Sequence, residues 1–225
     1  MASAGANSGS TPRTAKCGVS AASARSPQPE SAPAEATGEY WGRGRLYGVG
    51  PHRSGTNWYA SFRSDLGPRH VDVTAALEES RHGIRDLAPG LARVLAAADP
   101  ETTLAQRIWT APRLRSYVRG RLVLVGDAAH AMTPNLGRGG CEALLDAVAL
   151  GSLLGELPLD EALAAYERAR VRSSQRLRAA SRALMRVALA ERAQPPRDGL
   201  LALVGRTAAR RAEREAARPS TAVRG

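Results

Sequence analysis

RLVLVGDAAHAMTPNLGRGGCEALLDAVALGSLL, residues 121–154, is the stretch on which the fold turns. Leu122 to Val125 form a short apolar run rich in β-branched residues and bounded by Gly126 and Asp127, which predicts a buried strand. From Cys141 to Leu154 there is no proline, and Leu144, Leu145, Val148 and Leu154 recur on one face, which predicts a helix of at least three turns. Between them the loop AAHAMTPNLGRGG ends with Gly137, Gly139 and Gly140.

The chemistry of that loop follows from its residue types. The three glycines remove side chains where a helix exposes its first unpaired N–H groups, so an electron-rich ligand atom has close access to the backbone. The helix dipole adds roughly half a positive charge at that end, favouring an anion or a polarised carbonyl oxygen. Asp127 stands at the carboxyl end of its strand, where open α/β sheets place ligand-binding groups. Plain turn chemistry for the glycines, a turn cap for Asp127 and a packing role for His130 are the competing readings, and spacing alone leaves both sets open.

The string GDAAHAMTPNLGRGG followed by a helix containing DAVALG resembles the second flavin-binding motif of the FAD-dependent aromatic hydroxylases, class A flavoprotein monooxygenases of the p-hydroxybenzoate hydroxylase type. The resemblance implies that Asp127 binds the ribityl chain of FAD. It also implies that Gly126, Pro134, Asn135, Leu136, Gly137, Arg138, Gly139 and Gly140 form the rest of the cofactor contact, beside the isoalloxazine ring and its pyrimidine edge. Arg138 stands where the family usually has glutamine, and Leu145 where it usually has glutamate before the helix aspartate. The fold it implies is α/β, a partial p-hydroxybenzoate-hydroxylase-like arrangement of substrate-domain strands, the second FAD-binding strand-loop-helix and a long C-terminal helix.

Composition bounds the alternatives. A chain of 225 residues holds one domain, or one and a small part of another. Its formal charge of +11 raises nucleic acid as a partner. The excess, however, is C-terminal: 15 basic against 7 acidic residues beyond position 159, and 14 against 11 between 40 and 159. All but one of the 32 basic residues are arginine, a bias that reflects coding preference as much as binding, so nucleic acid is a minor alternative. Cys17 and Cys141 give no disulfide framework, and the four histidines follow no metal-ligand spacing. The absence of a long apolar run or a signal-like N-terminus predicts a cytoplasmic protein with no membrane partner.

In chain order, residues 1–38 are Ala, Ser, Gly and Pro-rich and read as a disordered leader. No GxGxxG fingerprint occurs in the chain, although the family opens with that ADP-binding unit, so the resemblance covers a C-terminal portion. Residues 39–110 read as a β-rich, substrate-domain-like segment, with Trp58, Ala60 and Phe62 alternating against Tyr59 and Ser61. Tyr40, Trp41, Tyr47, Trp58 and Tyr59 are candidates to wall an aromatic pocket, with simple packing the commoner role. Two short helices are expected between Thr74 and Ala98, burying Leu77, Leu87, Leu91 and Leu95, then a strand from Thr103 to Trp109. Residues 111–195 complete the FAD-binding part, with one helix from Glu161 to Arg192 carrying a stripe of Leu163, Tyr166, Leu177, Leu184 and Val187; 196–225 are a short helix and a basic tail.

By resemblance, the function is that of a FAD-dependent monooxygenase using NADH or NADPH and oxygen on a small aromatic or polyketide-like substrate. Without the nucleotide-binding unit, flavin binding is expected to be weak or lost. An inactive remnant, or a partner subunit working beside a separate FAD-binding chain, is the alternative. No catalytic side chain or metal site is assigned.

Overall fold

The computed structural model describes residues 19–25, 37–53, 55–63, 71–82, 84, 89–192 and 194–216. It divides into two compact units, Met1–Leu189 and Ala190–Gly225.

The first unit is built on a five-stranded antiparallel sheet of β1 (Val19–Arg25), β2 (Gly38–Trp41), β3 (Arg45–His52), β4 (Gly55–Phe62) and β5 (Leu104–Arg107), in the order β2-β3-β4-β1-β5. The leader expected to be disordered over 1–38 therefore contributes a strand. Val19–Arg25 is poor in large side chains, but it sits between two strands whose backbones satisfy both of its edges with ladder hydrogen bonds. The rest of that segment up to residue 36 lies outside the described residues.

Strand alternation sorts the sheet into two faces. On one, Tyr47, Val49, Trp58, Ala60 and Phe62 are buried against α1 (Val73–His82) and α2 (Pro89–Ala96), which contribute Leu77, Leu91 and Leu95. Each large side chain so buried contributes about 1.5–3 kcal/mol relative to exposure. The helix pair forms as its sequence predicts, and Leu87 lies outside the described residues. Tyr47 donates its hydroxyl to the Ser80 carbonyl at 3.0 Å, and Arg45 donates to the Glu79 carbonyl at 2.7 Å, pinning α1 to β3. On the other face, Leu46, with Trp41 and Tyr59, packs on Ile108, Met185, Ala188 and Leu189. That second cluster joins the sheet to the motif-bearing layer.

The motif layer departs from expectation at its strand. Leu122–Val125 is not a buried strand: only Leu122–Val123 (β7) pairs, in a two-strand hairpin with Val118–Arg119 (β6), and Leu122 and Val125 are exposed. A β-branched run forms extended structure wherever its backbone is paired, and burial needs a second layer that the described residues do not supply on that side. After α3 (Asp127–His130), helix α4 (Gly139–Glu156) forms as predicted, but Leu144, Leu145, Val148 and Leu154 all face outward. Its buried residues are Glu142 and Asp146, turned to α5 (Leu159–Ala188), while Ala149, Leu150 and Leu153 half-bury around Tyr117 and Tyr166.

Helix α5 covers 30 residues without interruption, and the expected apolar stripe is only part of its buried face. Leu163 and Tyr166 are buried and Val187 is exposed; the buried row continues through Arg170, Ser174, Arg178 and Ser181 to Met185 and Ala188. The second unit holds α6, Gln194–Ala216. It is longer than the short helix expected after residue 196: the two prolines occupy its first turn, where a missing N–H costs nothing. Among the described residues no helix is long and apolar enough to cross a membrane.

Candidate functional site

The site grows from a single glycine. Gly126 turns the chain between β7 and α3 at φ 56°, ψ −136°, a conformation open to glycine and strained for other residues. The buried Gly126 N–H donates to Asp146 Oδ2 at 2.8 Å, and His130 Nε2 approaches the same oxygen at 2.6 Å. Arg170 Nε donates to Asp146 Oδ1 at 2.6 Å, and its NH2 group donates to Glu142 Oε2 at 2.6 Å and to the Glu142 carbonyl at 3.2 Å. Arg138 closes the far end with a 3.1 Å bond to Glu142 Oε1. Burial pushes the Asp146 carboxyl up, but Arg170, the Gly126 N–H and His130 more than offset it, leaving it below the ordinary aspartate value. Glu142 is likewise pushed up by burial and then held below its usual value by Arg170 and Arg138. Asp146 is thus an anion fully enclosed by donors, and what it fixes is the turn that presents Asp127.

The polar row of α5 holds the rest of this segment. Tyr166 donates to the Leu124 carbonyl at 3.0 Å, and Gln175 Nε2 donates to the Ala129 carbonyl at 3.2 Å and to the Tyr117 hydroxyl at 3.0 Å. Tyr117 and Ser174 hydroxyls meet at 2.5 Å, and Ser181 donates to the Thr133 carbonyl at 2.6 Å. Arg178 donates to the Ala111 carbonyl at 2.9 Å, while burial and the neighbouring Arg182 lower its pKa. These positioning residues escape a reading by apolar periodicity because they are polar. Their signal is an i, i+4 repeat of hydroxyl and guanidinium groups on a helix with too few leucines to pack it.

Between the sheet and this segment lies a cavity of about 660 Å³. Glu39, Leu46, Asn57, Tyr59, Ser61 and Gln106 line it from the sheet, with Ile108 and Trp109 beyond β5. Asp127, Ala131, Met132, Pro134 and Asn135 line it from the other side. Of the aromatic candidates, Tyr59 and Trp58 line the cavity, and Tyr59 presents its side chain on this face. Tyr47 and Trp58 are buried in the core on the opposite face with Tyr40 against them, and Trp41 packs in the cluster at Leu46. Trp109, half-exposed, is a wall residue that the sequence did not single out.

Of the residues assigned to cofactor contact, the cavity brings together Asp127, Pro134 and Asn135. Gly126 lies behind them, buried in the turn. Leu136, Gly137, Arg138, Gly139 and Gly140 follow along the loop into the first turn of α4. Gly137 has φ 61° and closes the single turn at Pro134–Leu136 with a 2.8 Å bond to the Pro134 carbonyl.

Three observations test whether a flavin's ribityl and pyrimidine side fits these residues. The positions of a Cβ at Gly137 and Gly140 meet nothing within 4 Å, and at Gly139 only Met132 Cγ at 4.0 Å, so the backbone there is open to a ligand. Asn135 Oδ1 is buried with no hydrogen-bond partner and needs a donor such as an imide N–H. Asp127 is exposed at the cavity edge, as an acceptor for ligand hydroxyls. The residues fit.

Comparison with known proteins places the chain in a family. The FAD binding domain family model matches residues 15–181. Aurachin C monooxygenase/isomerase of Stigmatella aurantiaca is 40% identical over 139 residues, which are 60% of this chain and 35% of the relative. The FAD-dependent urate hydroxylase of Klebsiella oxytoca is 43% identical over 94 residues, 38% of this chain and 24% of its own. Among solved structures, a variant of HpxO from Klebsiella pneumoniae complexed with FAD superposes with a TM-score of 0.68 at 26% identity, covering 82% of this chain and 49% of that one. The chain spans less than half the length of these relatives.

Proposed function

The chain belongs to the FAD-dependent aromatic hydroxylase family, and we propose that it supplies the ribityl and pyrimidine side of a FAD site, together with the sheet that covers the substrate, in a monooxygenase. One observation carries this reading: a single cavity has the motif residues Asp127, Pro134 and Asn135 on one wall and a sheet face bearing Tyr59 and Leu46 among polar side chains on the other. A small aromatic or polyketide-like molecule held there would lie directly against the segment assigned to the flavin.

Bound FAD, reduced by NADH or NADPH, supplies the oxygen chemistry that places one oxygen atom on an electron-rich substrate. The chain's own residues bind and orient. Asp127 would accept hydrogen bonds from the cofactor's hydroxyls, and Asn135 Oδ1, buried without a partner, would accept one from its ring N–H. The N-terminus of α4, with bare backbone at Gly139 and Gly140, offers N–H groups and the positive end of the helix dipole to the charge that a reduced flavin carries at that edge. Leu46, Ile108 and Met132 line the cavity and would keep water from a ring bound there. This division of labour asks no side chain to act as nucleophile or general base. A reductant of this kind also suits a cytoplasmic setting.

The exposed row Leu144, Leu145, Val148 and Leu154, with Leu122 in β7 and Val125 just after it, supports the further reading that a GxGxxG-bearing nucleotide-binding unit, on a separate chain or segment, covers this side. The test is visible flavin absorption. With added FAD, the 225-residue chain alone should take up flavin weakly, and the chain co-expressed with a family nucleotide-binding unit should turn yellow. A chain folded by circular dichroism that stays colourless in both conditions removes the proposal.

A further inference from the structure

The cavity floor contains an arrangement that flavin binding does not require. Tyr59 and Gly48 are cross-strand partners on the cavity face of the sheet. A Cβ built on Gly48 would fall inside van der Waals contact of Tyr59 Cε1, Cζ and Oη, so the tyrosine ring lies flat across the bare glycine instead of standing off the sheet. Its hydroxyl reaches past Gly48 to donate to Glu39 Oε1 on β2, the strand beyond, where Glu39 pairs with Gly48. Glu39 Oε2 accepts a second bond, from Trp41 Nε1 at 3.2 Å. Burial, and then the bond to Glu39, push the Tyr59 hydroxyl well above its ordinary value, so it stays a neutral donor across the working pH range. The aromatic ring is thereby held by a glycine beneath it and a carboxylate at its tip.

Carboxylates stand on both walls of the cavity. Glu39 lines it from the sheet and Asp127 from the opposite wall. Arg107, also on the perimeter, is aligned by the strand register with Phe62, in the row of the opposite face.

Resting on the reading that this cavity takes the substrate, the geometry points to Tyr59 as a specificity-determining residue: a stacking platform, set by Gly48 and Glu39, that selects a flat aromatic ring bearing no carboxylate. A flat ring gains offset stacking on the fixed phenol without paying to order it. A ring carboxylate meets Glu39 on one wall and Asp127 on the other and is disfavoured by like charge.

The experiment uses the full chain without flavin and two ligands that share one flat ring, indole and an indole carboxylate, with dissociation constants from ligand-observed NMR titration. Indole should bind about ten-fold more tightly than its carboxylate. Tyr59→Ala and Gly48→Ala, the latter displacing the ring, should each weaken indole about ten-fold, and Tyr59→Phe, which keeps the ring and drops its anchor, about three-fold. Glu39→Gln keeps an acceptor for Tyr59 and removes the charge, so it should close most of the gap between the two ligands, a change that a merely structural role would not produce. Equal affinity for the two ligands, no indole binding by the folded chain, or an unchanged ratio in Glu39→Gln overturns the inference. Should Tyr59→Ala fail to fold, Tyr59→Phe and Glu39→Gln decide. Flavin uptake without ring selectivity refutes the platform alone, whereas indole selectivity without flavin uptake refutes the flavin reading alone.

Discussion

Replacing Arg170 with methionine should be among the most damaging single changes to this chain, and its cost should depend on pH. Arg170 bonds two carboxylates at once, Asp146 and Glu142, at 2.6 Å each, and the Asp146 side chain is fully buried. Methionine fills similar volume but leaves both carboxylates facing each other with fewer donors. Breaking one side of a buried ion pair costs about 3–5 kcal/mol. In the wild type both carboxyls lie below their ordinary values, so their contribution is complete above the unfolded values and is lost as pH falls through the folded ones. In the variant the burial that already pushes both upward prevails. The penalty is then largest at neutral pH and relaxes as acid protonates them, so the gap to wild type narrows toward about pH 5. Urea unfolding followed by tryptophan fluorescence measures this, since Trp41, Trp58 and Trp109 all lie in the first unit. A neutral-pH gap below about 1 kcal/mol, as for an exposed pair, or a gap that widens in acid, would refute the argument.

Other consequences follow from the same geometry. Gly126→Ala forces a side chain into a glycine conformation with its Cβ 3.3 Å from Ala143 Cβ; it should cost about 1–3 kcal/mol and abolish slow hydrogen exchange at the residue 126 amide, as read by NMR. Leu95→Ala, at a fully buried position between α2 and the sheet, should cost about 2–5 kcal/mol in the same urea assay. Leu144→Gln with Val148→Gln, on the outward face of α4, should leave the stability of the isolated chain within about 0.5 kcal/mol while lowering its binding of a hydrophobic dye and its capture of a co-expressed nucleotide-binding unit.

The sequence by itself determined the order of parts. GDAAHAMTPNLGRGG before an unbroken helical stretch identified the family, because glycines at fixed offsets and an acid after a β-branched run are local requirements of backbone conformation and ligand approach. The pair of short helices and the alternating aromatic strand were legible for the same reason: periods of 3.6 and 2 are local. Tertiary structure decided which of the faces so defined have partners. Period alone made Leu144, Leu145, Val148 and Leu154 a core stripe, yet the chain's own partner for α4 is Arg170, which selects Glu142 and Asp146 instead. It turned Tyr59 to the cavity and Trp58 to the core, a choice that adjacent aromatic residues leave open until the register to Gly48 is known. It recruited a strand from a segment with almost no large apolar residue, because two neighbouring edges needed hydrogen bonds. The polar row on α5 that holds the loop before α4 joins groups as far apart in the chain as Tyr117 and Ser174, and contacts of that range are made only once the helix packs.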